Sequence, residues 1–477
     1  EAEPRGASSP AGGAVTALAS TTVDLARIQF ATTSLYHFLF VPLTLGLGPL
    51  VAIMQTLWHR SGDEAWLRLT RFFGTLLLIN FAIGVATGLV QEFEFGMNWS
   101  VYSRFVGNVF GAPLAIEGLA AFMLESTFLG LWIFGWNRLS PRIHLATLWI
   151  AVLGTWLSAY FILVANSWMQ HPVGYKIVDG EAQLTSVWAL LSNGFALRAY
   201  VHTILAGLIF GSIVMLGVSC WHFLRGHEVD LFRKAAKVAL IVAVPVTLLQ
   251  LVVGNRFGEA VTSAQSMKIA ASEAQWNTCQ PCGFSLFQIG GFTEQDETPS
   301  FSITVPRVLS YMATGSFDGQ VQGLNDLQKQ EQRKYGRGNY MPNVRVIYWS
   351  MRVMAFTGVL MFLVAAIGAW LYWKRKLESA RWFLWTAIVS IAFPYIAASA
   401  GWILTEMGRQ PWIVQGLLKT ADATSPNVST TWLGISLAFF ITLYAALGVV
   451  DFVLMRHYAR PDRPVPRAEL PEPAVSY

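Results

Sequence analysis

Residues 401–412, GWILTEMGRQPW, end a long apolar run in Glu406 and follow it at once with Arg409, Pro411 and Trp412. A carboxylate at the edge of such a run is costly to bury unless it is paired or ligates something. Glu406 and Arg409, three apart on a last helical turn, can neutralise each other at a lipid surface. Alternatively, Glu406 ligates a cofactor. His37, His202 and Met354 also stand in apolar runs, and histidine and methionine are axial ligands of haem iron, a His/Met pair being a low-spin electron-transfer arrangement. Taken singly, a Met in a span is ordinarily packing, and a membrane His serves as readily for a helix-to-helix hydrogen bond. Glu117 and Glu125 lie in APLAIEGLAAFMLESTFLG, with no Lys or Arg between 112 and 135 to pair with. Intramembrane carboxylates of this kind serve ion or proton paths, unless both are protonated and hydrogen-bonded across helices. A spacing of eight puts them about 12 Å apart and roughly on one side of a helix.

The elements that must position these residues are membrane helices. At 54% hydrophobic and 13% charged residues, with mean hydropathy +0.46, the chain is far more apolar than a soluble domain, whose charged fraction is about 25%. Apolar stretches long enough to cross roughly 30 Å of hydrocarbon run near 32–57, 74–90, 112–135, 145–166, 199–221, 237–254, 346–373, 382–405 and 431–455. The expected fold is therefore an all-α polytopic membrane protein of about nine transmembrane helices. The net charge of +5 does not indicate nucleic acid, because the cations fall in short loops: Arg60, Arg68 and Arg71; Arg138 and Arg142; Arg225, Arg233, Lys234 and Lys237; Lys374, Arg375, Lys376 and Arg381; Arg456 and Arg460. These alternate loops face the cytoplasm by the positive-inside rule, which puts the amino terminus outside and the carboxyl terminus inside.

The organisation expected is an extension over 1–20, disordered or processed, six helices over 21–254, an outer loop over 255–345, three helices over 346–455 and a cytoplasmic tail over 456–477. The outer loop is by far the longest, and a loop of that length is ordinarily functional. It opens on a helix-like AQSMKIAASEAQW and carries Cys279 and Cys282 as a lone CxxC, too few ligands for a zinc site by themselves. Whether they are bonded depends on the compartment. No fixed short repeat is present, which excludes a solenoid. With this topology His37, His202, Met354 and Glu406 all fall in the outer halves of their spans, at one level.

The blocks RIQFATTSLYHFLFVPLTLG, NFAIGVATGLVQEFEFGMNWS, FGAPLAIEGLAAFMLEST, ILVANSWMQHP, VHTILAG, KIAASEAQW, the neighbourhood of Arg352 and Met354, and GWILTEMGRQPW resemble those of subunit I of cytochrome bd-type quinol oxidases. They extend over nearly all the membrane core, and GRQPW after a buried Glu is highly specific. The resemblance implies a terminal oxidase of the bacterial cytoplasmic membrane that oxidises quinol outside and reduces dioxygen to water, with two b haems, one low-spin and one high-spin, and one haem d. By position, His202 and Met354 would be the axial pair of the low-spin b haem, with Arg352 near its propionates. His37 and Glu406 would ligate the two high-spin haems, without deciding which takes which, with Glu117 close to haem d, Arg409 steadying the site and Trp402 between haems.

Lys268 and Glu273 match the residues of quinol oxidation, though a spacing of five is poor for mutual pairing and alone reads as a solvated helix face. Ser158 and Glu125 match a proton path from inside. The outer loop lacks the long insertion before the seventh span and so resembles the short-loop type, and the CxxC is outside the general motif. A homologous second subunit is the implied partner, with room for a small single-span accessory subunit. Two other functions share some of these features, a proton-coupled transporter and a b-type cytochrome that only passes electrons. The inverted repeats and broken midplane helices of many transporters are not evident in the sequence.

Overall fold

The computed structural model describes residues 10–460, and side chains from residue 21. Residues 1–9 of the expected extension and 461–477 of the expected tail lie outside the described residues, and the helix leading into the first span begins at Pro10. Among the described residues nine helical spans are long and apolar enough to cross a membrane: Thr21–Ser61, Glu64–Met97, Ser100–Phe134, Pro141–Gln170, Val187–Arg225, Val229–Ala264, Val344–Trp373, Arg381–Met407 and Thr430–Tyr458. They coincide with the nine apolar runs but extend beyond several of them. The sixth continues to Ala264, so the separate outer loop is ten residues shorter at its start than hydropathy indicates.

The fifth span is the hub: 83% of its most apolar window is buried, against 17% for the third span and 11% for the ninth, which lie at the rim. Small residues permit this packing. A Cβ on Gly46 of the first span would fall 1.7 Å from the carbonyl oxygen of Gly207 on the fifth, so the two backbones touch. The first span is broken between its helices Pro10–His37 and Val41–Ser61. Pro42 has no N–H for the carbonyl four residues back, and the last helical turn before the break ends on His37. In the third span a π-helical turn, Glu117–Phe122, interrupts the α-helix.

The long loop between the sixth and seventh spans is a folded cap. A short helix, Ser266–Ser272, is followed by the disulfide Cys279–Cys282, the antiparallel hairpin Phe284–Gly290 with Pro299–Val305, and helices Val308–Thr314 and Leu324–Tyr335. Ala270, Ala271, Trp276, Leu324 and Leu327 pack on Val344 and Ile347 at the start of the seventh span. Two smaller hairpins complete the same side of the bundle. Tyr175–Val178 pairs with Glu181–Leu184 through Asp179 and Gly180, both at positive φ as a tight two-residue turn requires, and Trp412–Val414 pairs with Leu418–Lys419.

Candidate functional site

The eighth span delivers Glu406 on its last turn, and Arg409 closes back on it as an ion pair. Glu406 has a second partner that the sequence did not suggest: Asn166 Nδ2 of the fourth span donates to its Oε1 at 2.9 Å. Arg409 also donates to the carbonyl of Ile413 at 2.9 Å, and Trp402, one turn earlier, stacks on Phe38 at 4.9 Å, beside His37. A carboxylate has about four lone-pair sites, so the two donors leave Glu406 able to ligate.

His37 is oriented by the second span. Thr87 Oγ1 donates its single hydrogen to the carbonyls of Ile83 and Gly84, so it accepts from His37 Nδ1, 2.9 Å away. The proton is thereby held on Nδ1, and Nε2 carries the lone pair that a metal takes. Gly88 makes room for the ring, since a Cβ there would lie 3.1 Å from His37 Cε1. His202 faces the sixth span, where Gln250 Nε2 lies 3.1 Å from its Nδ1 while Gln250 Oε1 is buried without a partner. Turning that amide over brings Oε1 onto an Nδ1–H and frees His202 Nε2 for ligation. Met354 faces the eighth span at Gly401, whose Cβ, if present, would lie 2.9 Å from the thioether sulfur.

The loop helix brings Lys268 and Glu273 in beneath the cap, so neither is a solvated surface charge: they are 3% and 6% exposed. The Lys268 stem runs over Gly408 of the GRQPW motif, where a Cβ would fall 2.6 Å from Lys268 Cγ, and its Nζ donates to Gln170 Oε1 at 2.8 Å. Burial lowers the Lys268 ammonium to about 7. Glu273 is ion-paired with Arg352 at 2.7 Å, both side chains almost wholly buried. Burial raises the Glu273 carboxyl to about 7, against the pull of the guanidinium. Arg352 also donates to the carbonyls of Ser272 and Ser285 and stacks over Tyr348. Four of its five N–H groups are so committed, leaving one for the propionate beside which it was expected.

Glu117 and Glu125 both turn to the fourth span. Ser158 Oγ donates to Glu117 Oε1 at 2.9 Å, and Thr155 Oγ1 donates to Glu125 Oε1 at 2.8 Å. Ser158, linked in the sequence reading to Glu125, is thus the partner of Glu117, and Thr155 is an addition. Gly154 allows the close approach, since a Cβ there would sit 2.7 Å from the Glu125 amide nitrogen. A third buried carboxylate passed unremarked in the sequence: Glu94, 1% exposed, accepts from Thr33 Oγ1 at 2.8 Å.

The family model for cytochrome bd terminal oxidase subunit I matches residues 25–463. The chain belongs to that family. It is 45% identical over 427 residues to the cytochrome bd ubiquinol oxidase subunit 1 of Bacillus subtilis (strain 168), covering 89% of this chain and 91% of the relative. It is 37% identical over 497 residues to the cytochrome bd-II ubiquinol oxidase subunit 1 of Escherichia coli (strain K12), covering 92% and 96%. The bd oxidase structure from Geobacillus thermodenitrificans superposes with a TM-score of 0.83 at 26% identity, covering 93% of this chain and 99% of that one. As subunit I of a bd-type terminal quinol oxidase the chain is part of an oxidoreductase, multi-pass in the membrane, and haem and quinol are that family's cofactor and substrate.

The residues present fit haem. The donor set is imidazole, thioether and carboxylate, the ligand types iron takes in such proteins. The orphaned Gln250 Oε1 and the glycines at 88 and 401 mark three of the four donors as side chains held with room beside them. Asn166, Gln170, Thr155, Thr87 and Gln250 were missed by the sequence reading. The available signal was a polar residue inside an apolar run, and Asn166 and Gln170 add a spacing of four, which places them on one helix face.

Proposed function

We propose that this subunit oxidises quinol at the outer face of a bacterial cytoplasmic membrane and passes the electrons to dioxygen, with the protons for water drawn from the cytoplasm. The amino terminus is outside and the carboxyl terminus inside, from the cations of alternate loops. The supporting observation is the seating of the loop. Glu273 pairs with Arg352, two residues before Met354, and the Lys268 stem covers Gly408, two residues after Glu406. One loop element therefore presses on two of the four helices that offer ligands.

In this reading His202 and Met354 hold a low-spin b haem, and His37 and Glu406 hold a high-spin b haem and haem d. When bound, these groups carry electrons from quinol to oxygen. The chain does the rest. Lys268 and Glu273 bind and orient the quinol hydroxyls, and Glu273 is placed to take a proton while Arg352 holds it. Arg409 and Asn166 fix Glu406, and Trp402 packs the space between. Thr155 and Ser158 orient Glu125 and Glu117 as successive proton sites. Because the candidate ligands lie toward the outside, protons cross most of the bilayer, and each unit charge moved through 100 mV is worth about 2.3 kcal/mol. A homologous second subunit completes the enzyme, with a place for a small single-span accessory subunit.

The test is an absorption spectrum of the reduced, purified complex with and without carbon monoxide. A chlorin-type band that shifts with carbon monoxide, beside a low-spin b signal, is expected. A low-spin b signal alone would indicate an electron carrier, and no haem at all a transporter.

A further inference from the structure

Four buried or half-buried side chains from three separate elements form one hydrogen-bonded line. Lys268 Nζ donates to Gln170 Oε1 at 2.8 Å, Gln170 Nε2 donates to Asn166 Oδ1 at 2.7 Å, and Asn166 Nδ2 donates to Glu406 Oε1 at 2.9 Å. Its direction is forced from both ends. An ammonium has only hydrogens to give and a carboxylate only lone pairs, so each amide between them has one permitted orientation. Arg409 on the other oxygen of Glu406 fixes the far end, and the bare Gly408, under the Lys268 stem, fixes the near one. Amide groups in series do not relay protons readily, but they polarise one another.

We infer that Gln170 and Asn166 are positioning residues that couple the outer-loop lysine to the Glu406 carboxylate, so that the haem held there senses the state of the quinol site. The inference rests on the reading of Lys268 and Glu406 given above. Each hydrogen bond that a ligating carboxylate accepts withdraws electron density from it, and such outer contacts tune the potential of the iron. Losing the pull of Lys268 makes Glu406 the stronger donor, favours the oxidised iron and lowers its midpoint potential. A through-space field from Lys268 acts in the same direction, so only a cycle of substitutions separates wire from field.

The experiment is a spectroelectrochemical titration of the assembled complex, with the low-spin haem as internal reference. Lys268→Met should shift the reduction equilibrium of the Glu406-bound haem about tenfold toward the oxidised form, 59 mV for a one-electron couple, within the ordinary range of site-to-site coupling. In a Gln170→Leu background the same change should move it less than about threefold. Gln170→Glu keeps the acceptor for Lys268 and nearly the same size but has no N–H for Asn166, and should uncouple equally if Gln170→Leu fails to assemble. Equal shifts from Lys268→Met in wild type and in both Gln170 backgrounds overturn the coupling. Glu406→Ala keeps the two failures apart. If every haem signal survives it, the ligand reading falls. If a high-spin signal is lost but the cycle is additive, that reading stands and the coupling falls.

Discussion

Replacing Arg352 with methionine should release the loop cap from the membrane helices without dismantling them. The guanidinium is 1% exposed, and it holds the Glu273 carboxylate at 2.7 Å together with the carbonyls of Ser272 and Ser285. Removing one partner of a buried pair costs about 3–5 kcal/mol. Glu273 relieves part of that by taking a proton, since burial already raises it to about 7. The carbonyls then lose a charged donor, worth about 1.5–3 kcal/mol for such a bond, and the contact over Tyr348 adds about 0.5–2 kcal/mol. These terms overlap, so about 3 kcal/mol is a fair lower value, which raises the open population of the cap about 10²-fold.

Limited proteolysis is the direct assay, because the exposed strand Pro299–Val305 is a ready cleavage site once the hairpin loosens. The assembled variant should be cut about 10²-fold faster in the loop while the spans stay intact. Quinol oxidation should fall, with oxygen consumption from an artificial donor largely retained. The sign with pH follows from Glu273. Its carboxyl is raised from 4.5 to about 7 by burial in the closed cap, so closing takes up a proton between those values, and the wild-type cap should tighten as pH falls through about 7 and loosen as pH rises through it. Unchanged loop protection in a correctly assembled Arg352→Met complex would refute the reasoning.

Quinol oxidation should itself be bell-shaped around pH 7, since the Lys268 ammonium is lost above about 7 and the Glu273 carboxylate below about 7. The residual activity of Lys268→Met should lack the alkaline limb and that of Glu273→Gln the acid limb, and a limb that survives its own substitution belongs to another group. Glu125→Gln keeps size and hydrogen bonding but carries no acid proton, so steady turnover should fall by at least about 10²-fold with haem content kept. Near-normal oxygen uptake in that variant would make Glu125 structural. His202→Ala or Met354→Leu should abolish or convert the low-spin spectrum while high-spin signals persist in part, and an unchanged low-spin spectrum in the double variant would remove the axial assignment.

The spans were legible in the sequence because lipid demands long apolar runs, whatever packs beside them. Their ends were less so. The sixth helix runs ten residues past its apolar stretch, held by contacts with the cap and not by hydropathy. Single residues with a strong chemical reason to be buried, such as Glu406 and Glu117, stood out by type. Their partners did not, because a partner is a matter of distance in space: Lys268 meets Gln170 across 98 residues and Arg352 meets Glu273 across 79. The cap hid its own logic in the same way. A spacing of five between Lys268 and Glu273 looks like a solvated surface until the helix that carries Lys268 and ends at Glu273 is folded under a hairpin.

The π turn of the third span is the clearest case of geometry that spacing alone misjudges. In an unbroken α-helix eight residues advance about 800°, leaving Glu117 and Glu125 about 80° apart on the cylinder. A π turn admits one extra residue, so eight positions do the work of about seven and the offset shrinks to about 20°. That realignment lets both carboxylates meet one face of the fourth span, at Ser158 and Thr155. Those two hydroxyls are three residues apart and therefore neighbours, about 5–6 Å between their Cβ atoms. The two acid head groups are thus drawn closer than the roughly 12 Å of helix between their backbones suggests. π turns appear mostly as single-turn bulges inside α-helices, frequently at functional sites. Here the placement brings two carboxylates on separate turns to neighbouring hydroxyls of one helix, as the proposed proton step between them requires.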